Sequence, residues 1–314
     1  MKILLEQIDS NKNFVSKLIS EFPHLNHYLA KQKNIDVFQR FSITNANTLE
    51  HSLFNALKIY QERPLFGHAS KNEEGTIEFK YEWSYGKVLE CSLKLSNSTK
   101  HFFDKMKING DKIVAICAEN SVEWMLCEFS CVFNNFVVVG IHTEWEVEST
   151  AQFFAETNIK VLFCDSKNFE KIEKVLSHCS ENLNFNIEYV VLTDKQEIST
   201  KFENKTKILY LKNLIEENNL ESSLSLSGIH INTPVIENEN KPNLSDLKNM
   251  HTLIFSSGST GKPKLIIKSD GIWKKNHIDE CIFVTPYITA SFLPLSHGFD
   301  RLSIFFFCFK MYKK

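Results

Sequence analysis

The sequence predicts an α/β fold, with parallel β-strands flanked by helices. Three observations carry that prediction. Short apolar runs such as residues 112–117 (KIVAIC) read as strands buried on both faces. Between such runs lie segments whose apolar residues recur at i, i+3, i+4 and i+7, as along Val122, Met125, Leu126, Phe129, Val132 and Phe133. From Asp111 to about residue 192 the two patterns alternate, which is the rhythm of a covered parallel sheet.

Composition agrees with a large globular core. The chain has 314 residues, 43% hydrophobic and 24% charged, which excludes a wholly disordered protein. That length fits about two domains or one large α/β unit. Thirty-six Lys and Arg against 38 Asp and Glu give a net charge of -2. A phosphate backbone is gripped mainly by excess positive charge, so nucleic-acid binding is not expected.

The first residues, MKILLE, break their apolar run too early for a signal peptide. No run is long enough to span a membrane, so a cytoplasmic, intracellular protein is expected. Eight Cys occur without a CxxC pair, and reduced, buried thiols are expected. Cys127/Cys131 and His178/Cys179 are the nearest approaches to metal-ligand spacing. No set of four zinc-like ligands can be assembled, so no metal site is assigned.

The elements follow in order. Phe14, Leu18, Phe22 and Leu25 share a helix face, and Asn47 or Thr48 caps a second helix through Tyr60, ended by Pro64. Ile77, Phe79 and Tyr81 alternate with polar residues as in a strand, and Ser84 caps a helix carrying Val88, Cys91, Leu95 and Phe102. After the strand at 112–117, Asn120 or Ser121 caps the helix of Val122 to Phe133. Strands follow at 136–141, 160–164 and 187–192, with helices at about 146–157 and 169–176 between them. Residues 213–248, rich in Glu, Asn and Ser with Pro234 and Pro242, read as a surface excursion.

The chemistry concentrates in one loop. The β-rich run 251–255 leads into Ser256-Ser257-Gly258-Ser259-Thr260-Gly261-Lys262-Pro263-Lys264, and Leu265-Ile266-Ile267 follows. Gly258 and Gly261 let the backbone turn tightly and bring N–H groups close to a ligand. Successive N–H groups in such a turn form a concave anion site. The hydroxyls add donors, and Lys262 and Lys264 add charge suited to a polyphosphate. A Walker A loop is excluded, because only two residues separate the glycines and Pro263 follows Lys262. The alternative is a polar hairpin turn of the same composition.

The string from Ser256 to Lys264 resembles the phosphate-binding signature of the AMP-forming adenylating enzymes, which include acyl-CoA synthetases, luciferases and adenylation domains. Leu265 stands where that signature usually has Gly. A second stretch, Phe292-Leu293-Pro294-Leu295-Ser296-His297-Gly298-Phe299-Asp300-Arg301, resembles the family's next signature. It looks most like the long-chain fatty acyl-CoA synthetases and carboxylic acid reductases. Residues 110–116 and 119–124 look like the family's early sheet, so the resemblance runs from about Pro64 to Arg301.

The resemblance implies the large N-terminal domain of an acyl-adenylate-forming enzyme, incomplete in this chain. It implies a carboxylate that attacks the α-phosphate of Mg-ATP, then a thiol such as coenzyme A that displaces AMP. The implied phosphate-binding residues are Ser256, Ser257, Gly258, Ser259, Thr260, Gly261, Lys262 and Lys264, and His297 is implied beside the carboxylate. The expected cofactors are ATP and Mg2+, with a thiol acceptor; the expected partners are ATP and a carboxylic acid, most simply a fatty acid. Arg301 pairs with a carboxylate or meets solvent.

The expected organisation is an N-terminal helical segment at 1–63, a partial AMP-binding domain at 64–303 and an atypical tail at 304–314. The family's adenine- and ribose-binding segments, its hinge and its mobile C-terminal domain with a catalytic Lys have no counterpart here. The chain therefore reads as an N-terminal fragment, or a truncated gene model, not competent alone. The competing readings are a non-catalytic nucleotide-binding or interaction module and a phosphate-binding domain of unrelated chemistry.

Overall fold

The computed structural model describes residues 48–108, 110–194, 206–217, 250–256, 264–269, 271, 291, 293–297, 301 and 304. The predicted helix around Phe14 to Leu25 lies outside them, as does most of the predicted surface excursion.

Helix α1 spans Leu49–Ile59, and Thr48 Oγ1 accepts a hydrogen bond from the N–H of His51 at 3.1 Å. Such a cap satisfies one of the orphan donors at the helix start. Strands β1 (Pro64–Lys71) and β2 (Ile77–Ser84) form an antiparallel pair. The sequence signal found only β2, since β1 lacks a clean alternation. Helix α2 (Tyr85–Met106) is capped by Ser84, as predicted, through the N–H of Lys87.

The main sheet begins with β3 (Ile113–Cys117). Helix α3 (Val122–Val132) is capped by Ser121, whose Oγ accepts from the N–H of Trp124 at 3.1 Å. Strand β4 (Val137–Gly140) is followed by α4 (Val147–Glu156), and β5 (Val161–Cys164) by α5 (Ser166–Asn182). Helix α5 is longer than its apolar stripe, because Asp165 caps it by accepting from the N–H of Asn168. Strand β6 (Tyr189–Leu192), strand β7 (Lys207–Tyr210), helix α6 (Leu211–Glu216), strand β8 (Met250–Ser256) and strand β9 (Lys264–Ser269) complete the order. Strand β7 and α6 are too short to show a period, and sequence analysis missed them.

The seven-stranded sheet has the order β7-β6-β5-β3-β4-β8-β9. Its first six strands run parallel, and β9 pairs antiparallel with β8. The antiparallel edge lies outside the stretch read as parallel, 111–192, and has a physical reason. Only residues 257–263 connect β8 to β9, and a parallel return needs a longer crossover.

Alternate strand residues face opposite layers, as the pleat requires. Val114, Ile116, Val138, Phe163 and Val191 join one apolar layer with α1, α2 and α3. Ala115, Cys117, Val139, Leu162, Cys164 and Val190 join the other with α4 and α5. Ile304 lies in the first layer. The connection leaving β3 thus crosses one face, and that leaving its neighbour β4 crosses the other. Divergence of this kind opens a crevice at the carboxyl ends of the strands, where ligands bind in open α/β sheets.

Candidate functional site

The segment around His297 is seated in that crevice. Asn120, in the loop after β3, holds it by both ends of its amide. Its Nδ2 donates to Leu293 O at 2.7 Å and to Ser291 Oγ at 3.1 Å, while its Oδ1 accepts from the N–H of Leu295 at 2.9 Å. Asn120 therefore does not cap α3 but clips a segment more than 170 positions away. The N–H of His297 donates to Pro294 O at 2.9 Å, which closes a turn. Gly140, at the end of β4, makes the approach possible. A Cβ there would stand 2.6 Å from Ser296 Cα, closer than any side chain tolerates.

The turn presents His297, which is exposed, beside His142, which is half-buried and follows β4. Their ring centroids are 4.2 Å apart. Ser296 Oγ lies 3.0 Å from His142 Nδ1, within hydrogen-bond distance. Burial pushes the His142 imidazole below its ordinary value, and the His297 ring acts in the same direction. An aromatic wall adjoins the pair. The ring of Trp145 meets Phe255 edge-on at 4.1 Å, and Phe255 is 6.1 Å from His142.

Phe255 is the penultimate residue of β8, so this wall stands at the root of the predicted phosphate loop. Ser256 and Lys264 are paired in register across β8 and β9, which brings the two ends of the loop together. Ser257, Gly258, Ser259, Thr260, Gly261 and Lys262 lie outside the described residues, and Ser256 and Lys264 are placed by their backbone alone. The structure thus brings the loop's base and His297 to the same end of the sheet.

Arg301 faces neither solvent nor the crevice. It is wholly buried, and its Nε donates to Glu128 Oε1 at 2.7 Å. Its guanidinium carbon lies 5.1 Å from the centre of the Trp124 ring. His251, at the start of β8, places Nε2 3.9 Å from the same carboxylate oxygen. Burial, aided by the Arg301 charge, pushes His251 down to about 3, so its imidazole is neutral near pH 7. Burial pushes the Glu128 carboxyl up, and Arg301 pulls it down. The pair ties α3 to the chain just beyond His297.

Among the described residues, no group of three His, Cys, Asp or Glu side chains could hold a metal ion. The six described cysteines, including Cys127 and Cys131, are free and buried, and burial pushes the Cys117 thiol up to about 12. Such thiols pack as small apolar groups. No described helix is long and apolar enough to cross a membrane.

Sequence reasoning missed His142, Gly140, Glu128 and the true role of Asn120. The position of His142 directly after a buried parallel strand was an available signal, since such strand ends line ligand sites.

Comparison with known proteins gives a consistent result. The family model described as AMP-binding enzyme matches residues 67–310. The chain is 24% identical over 281 residues to long-chain-fatty-acid–CoA ligase 5 of Rattus norvegicus, covering 87% of this chain and 38% of that ligase. It is 23% identical to fatty acyl-CoA synthetase B of Dictyostelium discoideum, covering 82% of this chain and 36% of that protein. Among solved structures, the adenylation domain of a carboxylate reductase from Mycobacterium chelonae matches with a TM-score of 0.62 at 17% identity. That match covers 95% of this chain and 46% of the other. A red-emitting luciferase from Phrixothrix hirtus matches with a TM-score of 0.57 at 18% identity, over 84% of this chain and 57% of the luciferase. These likenesses show the fold, and the chain spans well under half the length of the ligases it matches.

Proposed function

The chain belongs to the AMP-binding enzyme family, and from that premise we propose that it carries the phosphate-binding and carboxylate-side portion of an ATP-dependent acid-activating ligase. The observation that carries this reading is the meeting of the β8–β9 loop base with the clipped His297 turn at one crevice. A fatty acid is the favoured substrate class, because the matching ligases are named for fatty acids.

In this reading the loop residues Ser256 to Lys264 hold the β- and γ-phosphates through backbone N–H groups, hydroxyls and the two Lys charges. His297 sets the carboxylate for attack on the α-phosphorus. One carboxylate oxygen forms the new P–O bond, pyrophosphate leaves with its bonding pair, and acyl-adenylate results. Positioning and charge stabilisation supply most of the acceleration in such displacements. A thiol, coenzyme A in the matching ligases, then displaces AMP. Mg2+ would enter as Mg-ATP, held mainly by the phosphates with few protein ligands, and would offset charge on the departing pyrophosphate. The division at 63 and 303 stands as part of the proposal, with 64–303 carrying the site.

The chain covers 38% of the matching rat ligase, and the part assigned to it here is ATP binding through the loop. Titration of Mg-ATP into the chain, with palmitate-dependent pyrophosphate exchange measured alongside, tests this directly. Binding of ATP is expected, and no binding would contradict the reading.

A further inference from the structure

The second imidazole at the site is not accounted for by the phosphate loop or by His297 alone. His142 sits on the loop after β4, where the crevice opens. Its Nδ1 is engaged by Ser296 Oγ at 3.0 Å, and its ring lies against that of His297. Ser296 is itself buried and is brought in by the close approach that Gly140 permits. Trp145 and Phe255 wall the other side. Five residues from three separate parts of the chain thus converge to fix one half-buried imidazole. A packing role would be met as well by an apolar ring.

We propose that His142 is a second positioning residue of the carboxylate end of this site, and that it acts with His297 as a two-imidazole anion receptor. This rests on the reading of His297 as the carboxylate-side residue. Two positive charges at that separation repel. The two imidazoles offer ring N–H donors to a carboxylate. Ser296 fixes the orientation of one ring and the Pro294 turn fixes the backbone of the other. The charged and titratable groups facing His142 are His297 from the clipped turn and Glu144 on its own loop; Phe255 on β8 and Trp145 are apolar neighbours. His297 holds the first ring down and Glu144 opposes it.

Imidazole NMR of the full chain, with 15N-labelled histidine and octanoate as the probe, tests the proposal. His297→Gln should raise the protonation midpoint of His142, because the like charge beside it is gone. Octanoate should shift the resonances of both rings in the wild type, and Ser296→Ala should weaken octanoate binding by about fivefold, the worth of one hydrogen bond. If octanoate shifts His297 alone, or if His297→Gln leaves the His142 midpoint unchanged, the receptor is overturned while the reading of His297 survives. If octanoate shifts neither ring, that reading falls with it. Should His297→Gln misfold, the octanoate titration of the wild type and Ser296→Ala decides alone.

Discussion

Arg301 Nε donates to Glu128 Oε1 at 2.7 Å, and neither side chain reaches solvent. The contact joins the middle of α3 to the chain four residues past His297. Breaking a buried pair by removing one partner leaves an uncompensated charge, at a cost of about 3–5 kcal/mol. Arg301→Met should therefore lower stability by that order in urea unfolding. Adding Glu128→Gln should recover a large part, because the stranded carboxylate is then gone. A single variant within about 1 kcal/mol of wild type would show that the pair is not formed.

His251 gives a pH dependence of defined sign. Its folded value, about 3, lies below its ordinary 6.5, so the unfolded chain binds the extra proton first. The contribution is present above pH 6.5 and is lost as pH falls toward 3. The loss proceeds at up to about 1.4 kcal/mol per pH unit. Thermal melting between pH 7 and about pH 4.5 should show a shallower decline for His251→Gln than for wild type. Parallel curves would contradict the buried, neutral placement.

Asn120 should matter locally and not globally. Asn120→Ala removes the acceptor of the Leu295 N–H and the donor to Leu293 O. Amide hydrogen exchange at Leu295 should accelerate by at least about tenfold, roughly the weight of one well-made hydrogen bond. Exchange in β3 and α3 should hold. Unchanged protection at Leu295 would mean that the clip does not restrain the turn.

Gly140→Ala should be poorly tolerated although Ala is the smallest change available. The added methyl meets Ser296 Cα at 2.6 Å, a backbone atom that cannot rotate away. The expected cost is about 1–3 kcal/mol of stability, as for other overpacked sites. The substitution should also disturb the imidazole resonances of His142. A fully stable variant with unaltered resonances would show that the turn lies farther from β4.

Strands β3 to β6 were legible because they are apolar throughout, and the helices α3 to α5 because they carry apolar stripes, two signals that do not need tertiary context. The caps Thr48, Ser84 and Ser121 were legible for the same reason, since a hydroxyl before an apolar stripe acts on its own next turn. The β8–β9 connection and the segment around His297 stood out as strings. What the sequence concealed depends on contacts between distant positions. Asn120 looks like one more helix cap until Leu295 comes to it, and Arg301 could pair with a carboxylate or meet solvent until Glu128 meets it inside the core. His142 carries no motif at all, and only the fold sets it against His297. The antiparallel turn of β9 was implicit in the shortness of 257–263, a constraint on topology and not on local pattern.

The β8–β9 loop and the His297 crevice together are proposed to form a nucleotide site. Calorimetric titration of Mg-ATP into the 314-residue chain, beside the Lys262→Ala/Lys264→Ala double variant, tests it most directly. One ATP should bind per chain, with an affinity at least about tenfold weaker in the variant, as the loss of charge-assisted contacts requires. Equal affinity in the two proteins, or no binding by the wild type, would contradict it.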